Sequence, residues 1–263
     1  MKMSSLAIGQ YIPGSSPLHK MDPRSKILAM ATVVTCLFLI KSGWGYLAMA
    51  AMLLAGILVS KIGLKFIIKS MRSLLVIMAF TFLLHVFMTE GTVIFKLGPL
   101  TATYEGMRQG ALMVIRLVLL IIATSLVTLT TSPLTLTDGL EKLLKPLSAI
   151  GFPAHELAMM MTIALRFIPT LVEETDKIMK AQMARGADFS SGNLIKRAKA
   201  MLPVLIPLFV SAFRRADELA LAMEARCYRG GKGRTRLRNL AFTLNDLLIL
   251  PIVAASITVA VLA

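Results

Sequence analysis

Two arginines carry the most suggestive chemistry in this chain. Arg185, in KAQMARGADF, and Arg226, in AMEARCYRG, each follow an alanine and precede a small residue, so Ala184, Arg185 and Gly186 are echoed by Ala225, Arg226 and Cys227. A guanidinium is planar, permanently charged and carries five donors. It can pair bidentately with a carboxylate or meet the carbonyls at another helix's carboxyl end, and small neighbours leave it free to project. Each triplet closes a helical pattern, which puts the arginine at a helix end. A single such residue is explained as well by capping or by snorkelling to lipid headgroups. Two copies in matched contexts make that reading weaker and leave a structural repeat or one docking device used twice.

Other residue types offer less. Arg116 lies inside the apolar run 110–129, where a charge is costly and is functional or paired. It stands about six residues from the end of that run, so snorkelling is an equal reading. His85 has no second histidine or carboxylate at helical spacing and reads as a satisfied interior histidine. His155 with Glu156 lacks the second histidine of a zinc-protease motif. His19, beside Asp22 and Arg24, precedes the first apolar run and reads as a structural clamp where that helix begins. No glycine-rich phosphate loop ending in Lys-Ser/Thr occurs, so ATP hydrolysis is not expected of this chain. Cys36 and Cys227 have neither a disulfide framework nor metal-ligand spacing and read as free thiols. No catalytic, metal or cofactor-binding residue is expected.

The elements that must position the two arginines follow from composition. The chain has 263 residues, 56% of them hydrophobic, with a mean hydropathy of +0.75. Its apolar residues come in long runs, at about 27–40, 45–60, 73–88, 110–129 and 244–263, and the last two approach the roughly 20 residues of a bilayer-spanning helix. A net charge of +15 raises nucleic acid as a partner, but aromatics are only 6% and the basic residues flank apolar runs. That placement is a topology signal. No signal peptide is evident, because Pro13, Gly14 and Pro17 precede any apolar run; the first span is expected to direct insertion itself.

Basic excess marks the cytoplasmic side. Residues 1–26 hold Lys2, Lys20, Arg24 and Lys26 against Asp22, and 61–72 hold Lys61, Lys65, Lys69 and Arg72 unopposed. The stretch 89–109 is balanced, which makes it an external loop, whereas 132–239 holds 17 basic and 10 acidic residues. An all-α membrane protein of about five spans with a cytoplasmic amino terminus satisfies every segment. The expected domains are 1–131 with four spans, 132–239 as cytoplasmic-side coupling helices, and 240–263 as the last span.

Within 132–239, two long patterns each run from an oily half to a charged half. One follows Pro153 with Leu157, Met161, Leu165, Ile168 and Leu171, then turns to Glu173, Glu174, Asp176, Lys177 and Lys180. The other runs from Asn193 to the glycines at 230 and 231. Pro169, Pro203 and Pro207 should kink them. Such helices could lie along the bilayer as amphipathic anchors. Interleaved acidic residues, Asp217, Glu218 and Glu224 among them, favour contacts with protein instead.

At this point the chain resembles the T component, the transmembrane coupling subunit, of energy-coupling-factor transporters, ATP-driven bacterial importers of vitamins and metals. The resemblance rests on GQYIPGSSPLHKMDPRSK (Gly9 to Lys26), HELAMMMTIALRFIPTLVEETDKIMKAQMARG (His155 to Gly186) and PLFVSAFRRADELALAMEARCYRG (Pro207 to Gly230). It implies that two arginine motifs end coupling helices and insert into grooves on two ATP-binding-cassette subunits, which bind the ATP and Mg. Those docking roles fall on Ala184, Arg185 and Gly186 and on Ala225, Arg226 and Cys227. Cys227 stands where glycine is frequent, and a cysteine withholds the backbone freedom that glycine would give. The resemblance further implies a separate membrane-embedded substrate-binding subunit, an interchangeable one to judge from the amino-terminal block, and a place in the bacterial cell membrane. A self-contained carrier or an intramembrane enzyme using His85, His155 or Arg116 are the alternatives; the runs show no inverted repeat that would favour a carrier.

Overall fold

The computed structural model describes residues 11–40, 42–97, 100–189, 191, 193–231, 246 and 249–262. The basic tail at 232–238, the first ten residues and the start of the expected last segment at 240–245 lie outside the described residues. The chain divides into two compact units, one of Met1–Ile8 with Leu144–Arg238 and one of Gly9–Leu143 with Asn239–Ala263.

In the second of these units, a short helix α1 (Pro17–Lys20) leads to α2 (Pro23–Leu39). Asp22 caps α2, its Oδ1 accepting from the Arg24 N–H at 2.9 Å, and Pro23 occupies a first-turn position whose N–H no helix would use. Upstream, His19 donates from Nε2 to the Ile12 carbonyl at 3.0 Å and accepts from the Ser16 hydroxyl at 2.6 Å, which is the clamp its position suggests. α3 (Gly43–Ser60) starts at Ser42, which accepts from the Gly45 N–H, and closes at Lys61 in the left-handed region. α2 and α3 pack with α5 (Tyr104–Thr130) around Leu37, Ile40, Met49 and Leu129, none more than 2% exposed.

α4 (Leu64–Met88) and α5 are joined by a hairpin of β1 (Val93–Leu97) and β2 (Leu100–Thr103), paired antiparallel, where charge balance predicts only a loop. The hairpin exists because both its ends are tied down. The Thr103 hydroxyl donates to the Thr89 carbonyl at 2.7 Å while accepting from the Gly106 N–H as the N-cap of α5, and the Glu105 carboxylate accepts from the Thr92 N–H at 2.7 Å. α5 therefore begins six residues before its apolar run. It lies very close to α4: a Cβ on Gly106 would sit 2.4 Å from the His85 carbonyl oxygen, and one on Gly110 3.1 Å from the Phe82 ring. This small-xxx-small spacing brings two apolar helices together where no hydrophobic drive separates helix from lipid.

After α5 come α6 (Pro133–Leu144) and a 3-10 turn (Lys145–Ile150), then α7 (Ala154–Ala184), α8 (Leu194–Ala225) and α9 (Ile249–Leu262). The hairpin apart, the regular secondary structure of the described residues is helical. By length and composition α3, α5 and α7 could each cross a membrane, and α4 makes a fourth if its two parts, bent by 57° about Ser73, are one span. α2, at 17 residues, falls on the first apolar run and the described α9, at 14, lies within the last, and both are shorter than α3 with its 18. α7 qualifies because its amino half is nearly uncharged, although the charge pattern assigns it to the cytoplasmic side. α7 continues unbroken through Pro169, and α8 through Pro203 and Pro207.

Gly106→Ala should lower stability by about 1–3 kcal/mol through overpacking. Gly43→Ala is the control, since nothing lies within 4 Å of the methyl group it would gain. Thermal melting of the detergent-solubilised chain checks this, and equal melting temperatures for the two variants would remove the close α4–α5 approach as their determinant.

Candidate functional site

The two arginines end their helices in one and the same geometry. Arg185 is the C-cap of α7 at φ −89°, ψ 9°, and Arg226 is the C-cap of α8 at φ −91°, ψ 14°. The next residue turns left-handed in both, Gly186 at φ 87° and Cys227 at φ 55°. The Gly186 and Cys227 N–H groups donate to Met183 and Glu224 at 3.0 and 2.8 Å, and the Ala187 and Tyr228 N–H groups reach back to Gln182 and Met223, both at 3.0 Å. This is the Schellman arrangement, which satisfies carbonyls that a helix end leaves open. Its consequence is that each arginine is held on a fixed backbone while its side chain stands clear. All six expected docking residues are exposed. Cys227 does not hold the chain out of the glycine-like conformation. The backbone adopts the left-handed turn with cysteine in place, at the steric cost a Cβ brings to that region.

α7 and α8 pack antiparallel. As numbers rise along α7 the contacts fall along α8: His155 Nε2 lies 3.5 Å from the Tyr228 hydroxyl, Glu174 meets Ser211 and Arg215, and the Gln182 side chain donates to the Pro203 carbonyl at 3.4 Å. Arg226 thus stands beside the start of α7 and Arg185 at its far end. At 1.5 Å per residue, the helix from His155 to Gln182 holds the two ends apart by at most about 40 Å.

Near the middle, Glu174 accepts from the Ser211 hydroxyl at 2.5 Å and from Arg215 at 3.0 Å. These contacts, the hydroxyl first and the guanidinium after it, hold the Glu174 carboxyl below its usual range. The lowered value means that the contact is complete above the ordinary carboxylate range and is lost only as pH falls through it. With side chains 24% and 38% exposed, the ion pair contributes no more than about 1 kcal/mol. Motif spacing alone does not single out this pair. A signal is present all the same, since Glu174 and Arg215, opposite in charge, stand at equal distances before Arg185 and Arg226.

The remaining candidates have structural partners. Arg116, twelve residues into α5, donates from Nε to the Tyr46 hydroxyl at 2.9 Å and from Nη2 to the Ile40 carbonyl at 3.4 Å, with the Phe38 and Tyr46 rings under its guanidinium. It ties α5 to the corner between α2 and α3, in place of the snorkelling that its position in the apolar run suggests. His85 donates from Nδ1 to the Thr81 carbonyl at 2.8 Å. Cys36 is buried and Cys227 exposed, both as free thiols.

Similarity to known proteins fits this arrangement. Residues 14–237 match the family model CbiQ, described as cobalt transport protein. The chain is 56% identical over 245 residues to the "Energy-coupling factor transporter transmembrane protein EcfT" of Thermosediminibacter oceani, covering 93% of this chain and 92% of that one. The chain belongs to this transmembrane-component family. Two further family members bearing the same description are 54% identical over 253 residues (Ruminiclostridium cellulolyticum; 96% and 95% covered) and 48% identical over 245 residues (Bacillus subtilis; 93% and 92% covered).

The two caps share one geometry but place different residues, Gly186 and Cys227, in the left-handed turn, and the difference can be measured. Gly186→Ala should destabilise the end of α7 by roughly 1–2 kcal/mol, while Cys227→Gly should stabilise the end of α8 by up to about 1 kcal/mol. Hydrogen exchange of the amides of Gly186, Ala187, Cys227 and Tyr228 reports both, with opposite signs expected.

Proposed function

We propose that Arg185 and Arg226 are the docking ends through which this chain couples two ATP-binding-cassette subunits to a separate, interchangeable membrane subunit that binds a vitamin or another micronutrient. As a member of the transmembrane-component family the chain is a non-catalytic coupling subunit, and ATP is hydrolysed by its partners. The observation that carries the residue assignment is the pair of matched caps at opposite ends of one antiparallel helix pair. A single end would tether; two ends on a common lever can register a relative displacement of two partners.

Further features support the reading. α8 presents Leu202, Ile206, Phe209 and Phe213, spaced four, three and four residues apart and each 51% or more exposed, as one apolar stripe. Exposed apolar surface of this kind suits a membrane-embedded partner. The distribution of basic residues supports five spans, at α2, α3, α4, α5 and α9, with the amino terminus and the α7–α8 pair on the cytoplasmic side. Ala184, Gly186, Ala225 and Cys227 are small enough to let a groove close around each guanidinium, and Pro169, Pro203 and Pro207 would set the angle between each docking end and its oily half.

Losing one desolvated, charge-assisted arginine contact costs on the order of 2–5 kcal/mol. Arg185→Glu and Arg226→Glu should each weaken retention of the ATPase subunits in a pull-down from native membranes, and the double variant should abolish it while remaining inserted. Arg226→Lys keeps the charge without the planar fork and should give a partial defect. Equal retention by all variants would return both arginines to membrane anchoring.

A further inference from the structure

Charged side chains go under in proteins only where they are paired, and the transmembrane unit buries three of them in one place. Asp22, Lys26 and Asp246 are 4%, 6% and 8% exposed. The Asp22 N–H donates to Asp246 Oδ1 at 2.7 Å, joining the start of α2 to the residue that leads into α9. Lys26 Nζ donates to the Thr130 carbonyl at 3.1 Å and to Thr131 Oγ1 at 3.0 Å, joining α2 to the end of α5, and its charge lies within reach of both carboxylates. α6 arrives at the same place: a Cβ on Gly139 would stand 2.9 Å from the Pro23 side chain.

This cluster has a particular position in the chain. The polypeptide leaves the transmembrane unit after Leu143, at the end of α6, and comes back to it at Asn239, shortly before Asp246. Within the transmembrane unit, α6, just before the chain leaves, and Asp246, just after it returns, therefore both meet the start of α2. The fastening of α2 to α5 and to Asp246 is made by hydrogen bonds of charged side chains, where an apolar core would serve stability as well or better. It is also not optimised for stability, since Asp22 Oδ2 is buried with no hydrogen-bond partner among the described residues. Buried charge of this kind specifies one arrangement of the elements it joins.

We propose that Asp22, Lys26 and Asp246 form a fulcrum: a buried clamp that makes α2, α5, α6 and the lead into α9 move as one body, so that displacement of the α7–α8 pair is delivered to the spans and not dissipated in the two connections. The three are positioning residues. The inference rests on the coupling-subunit reading above.

The test uses the complete transporter in proteoliposomes, with substrate uptake and ATP hydrolysis measured on the same vesicles. Asp246→Asn and Lys26→Met should lower substrate moved per ATP by about fivefold or more, within the range that changes along a coupling route produce, while the ATPase subunits stay bound and hydrolysis persists. A covalent clamp supplies the rescue: Asp22→Cys with Asp246→Cys, the disulfide confirmed by peptide mass spectrometry, should couple well when oxidised and poorly when reduced. The rescue also separates a lost clamp from a misfolded chain, because a misfolded chain is not restored by oxidation. Undiminished transport per ATP in Asp246→Asn, or no difference between the oxidised and reduced double-cysteine complex, would overturn the fulcrum alone. A wild-type complex that binds no ATPase subunits would overturn the coupling reading and the fulcrum with it.

Discussion

A backbone that enters the hydrocarbon of a bilayer must satisfy its own polar groups, and a helix does this everywhere except at its ends. That constraint shapes the whole chain. Its helices are long and chemically plain, and among the described residues many of the specific polar interactions lie where one of them starts or stops. Asp22, Ser42 and Thr103 cap the starts of α2, α3 and α5, and the ends of α7 and α8 close in Schellman turns. Arg116 obeys the same rule from mid-helix, since one of its acceptors is the Ile40 carbonyl just beyond α2. Capping residues and exposed arginines gather at helix ends, because those are the points where side-chain chemistry and backbone requirements meet.

The matched caps at Arg185 and Arg226 follow from this economy. A left-handed residue after the arginine directs the chain sharply away, which leaves the arginine as an exposed prow at the helix end. The antiparallel packing of α7 on α8 then determines where the two prows point. The Glu174 contacts with Ser211 and Arg215 fix the register of the pair near its middle, at equal sequence distance from each arginine. The ion pair is weak as a source of stability. Its value is in alignment, since a slip along the helices would change the separation of the two ends.

The helical class, the apolar runs, the basic flanks and the two arginine triplets are all legible in the sequence. Periodicity and charge are local properties that survive without tertiary context. What is not legible involves partners far apart in the chain. Residues 89–109 look like a loop because nothing local reveals that Glu105 will hold Thr92 and that Thr103 will hold Thr89. Arg116 reads equally as a paired charge or a snorkelling one, because its apolar run gives no hint that α5 begins at Tyr104 or that Tyr46 will be waiting beside it. The glycines at 106 and 110 become informative only once α4 lies against them.

By itself the sequence determined that this is a helical membrane chain with two exposed arginine ends, because hydropathy, charge asymmetry and a small-Arg-small pattern are written residue by residue. Only the tertiary structure decided that those ends lie at opposite extremes of one antiparallel pair. It also decided that Cys227 takes the turn expected of glycine, and that Asp22 meets Asp246 across almost the full length of the chain. Those outcomes depend on which helix packs against which, and packing is a property of pairs of surfaces that no single stretch of sequence contains.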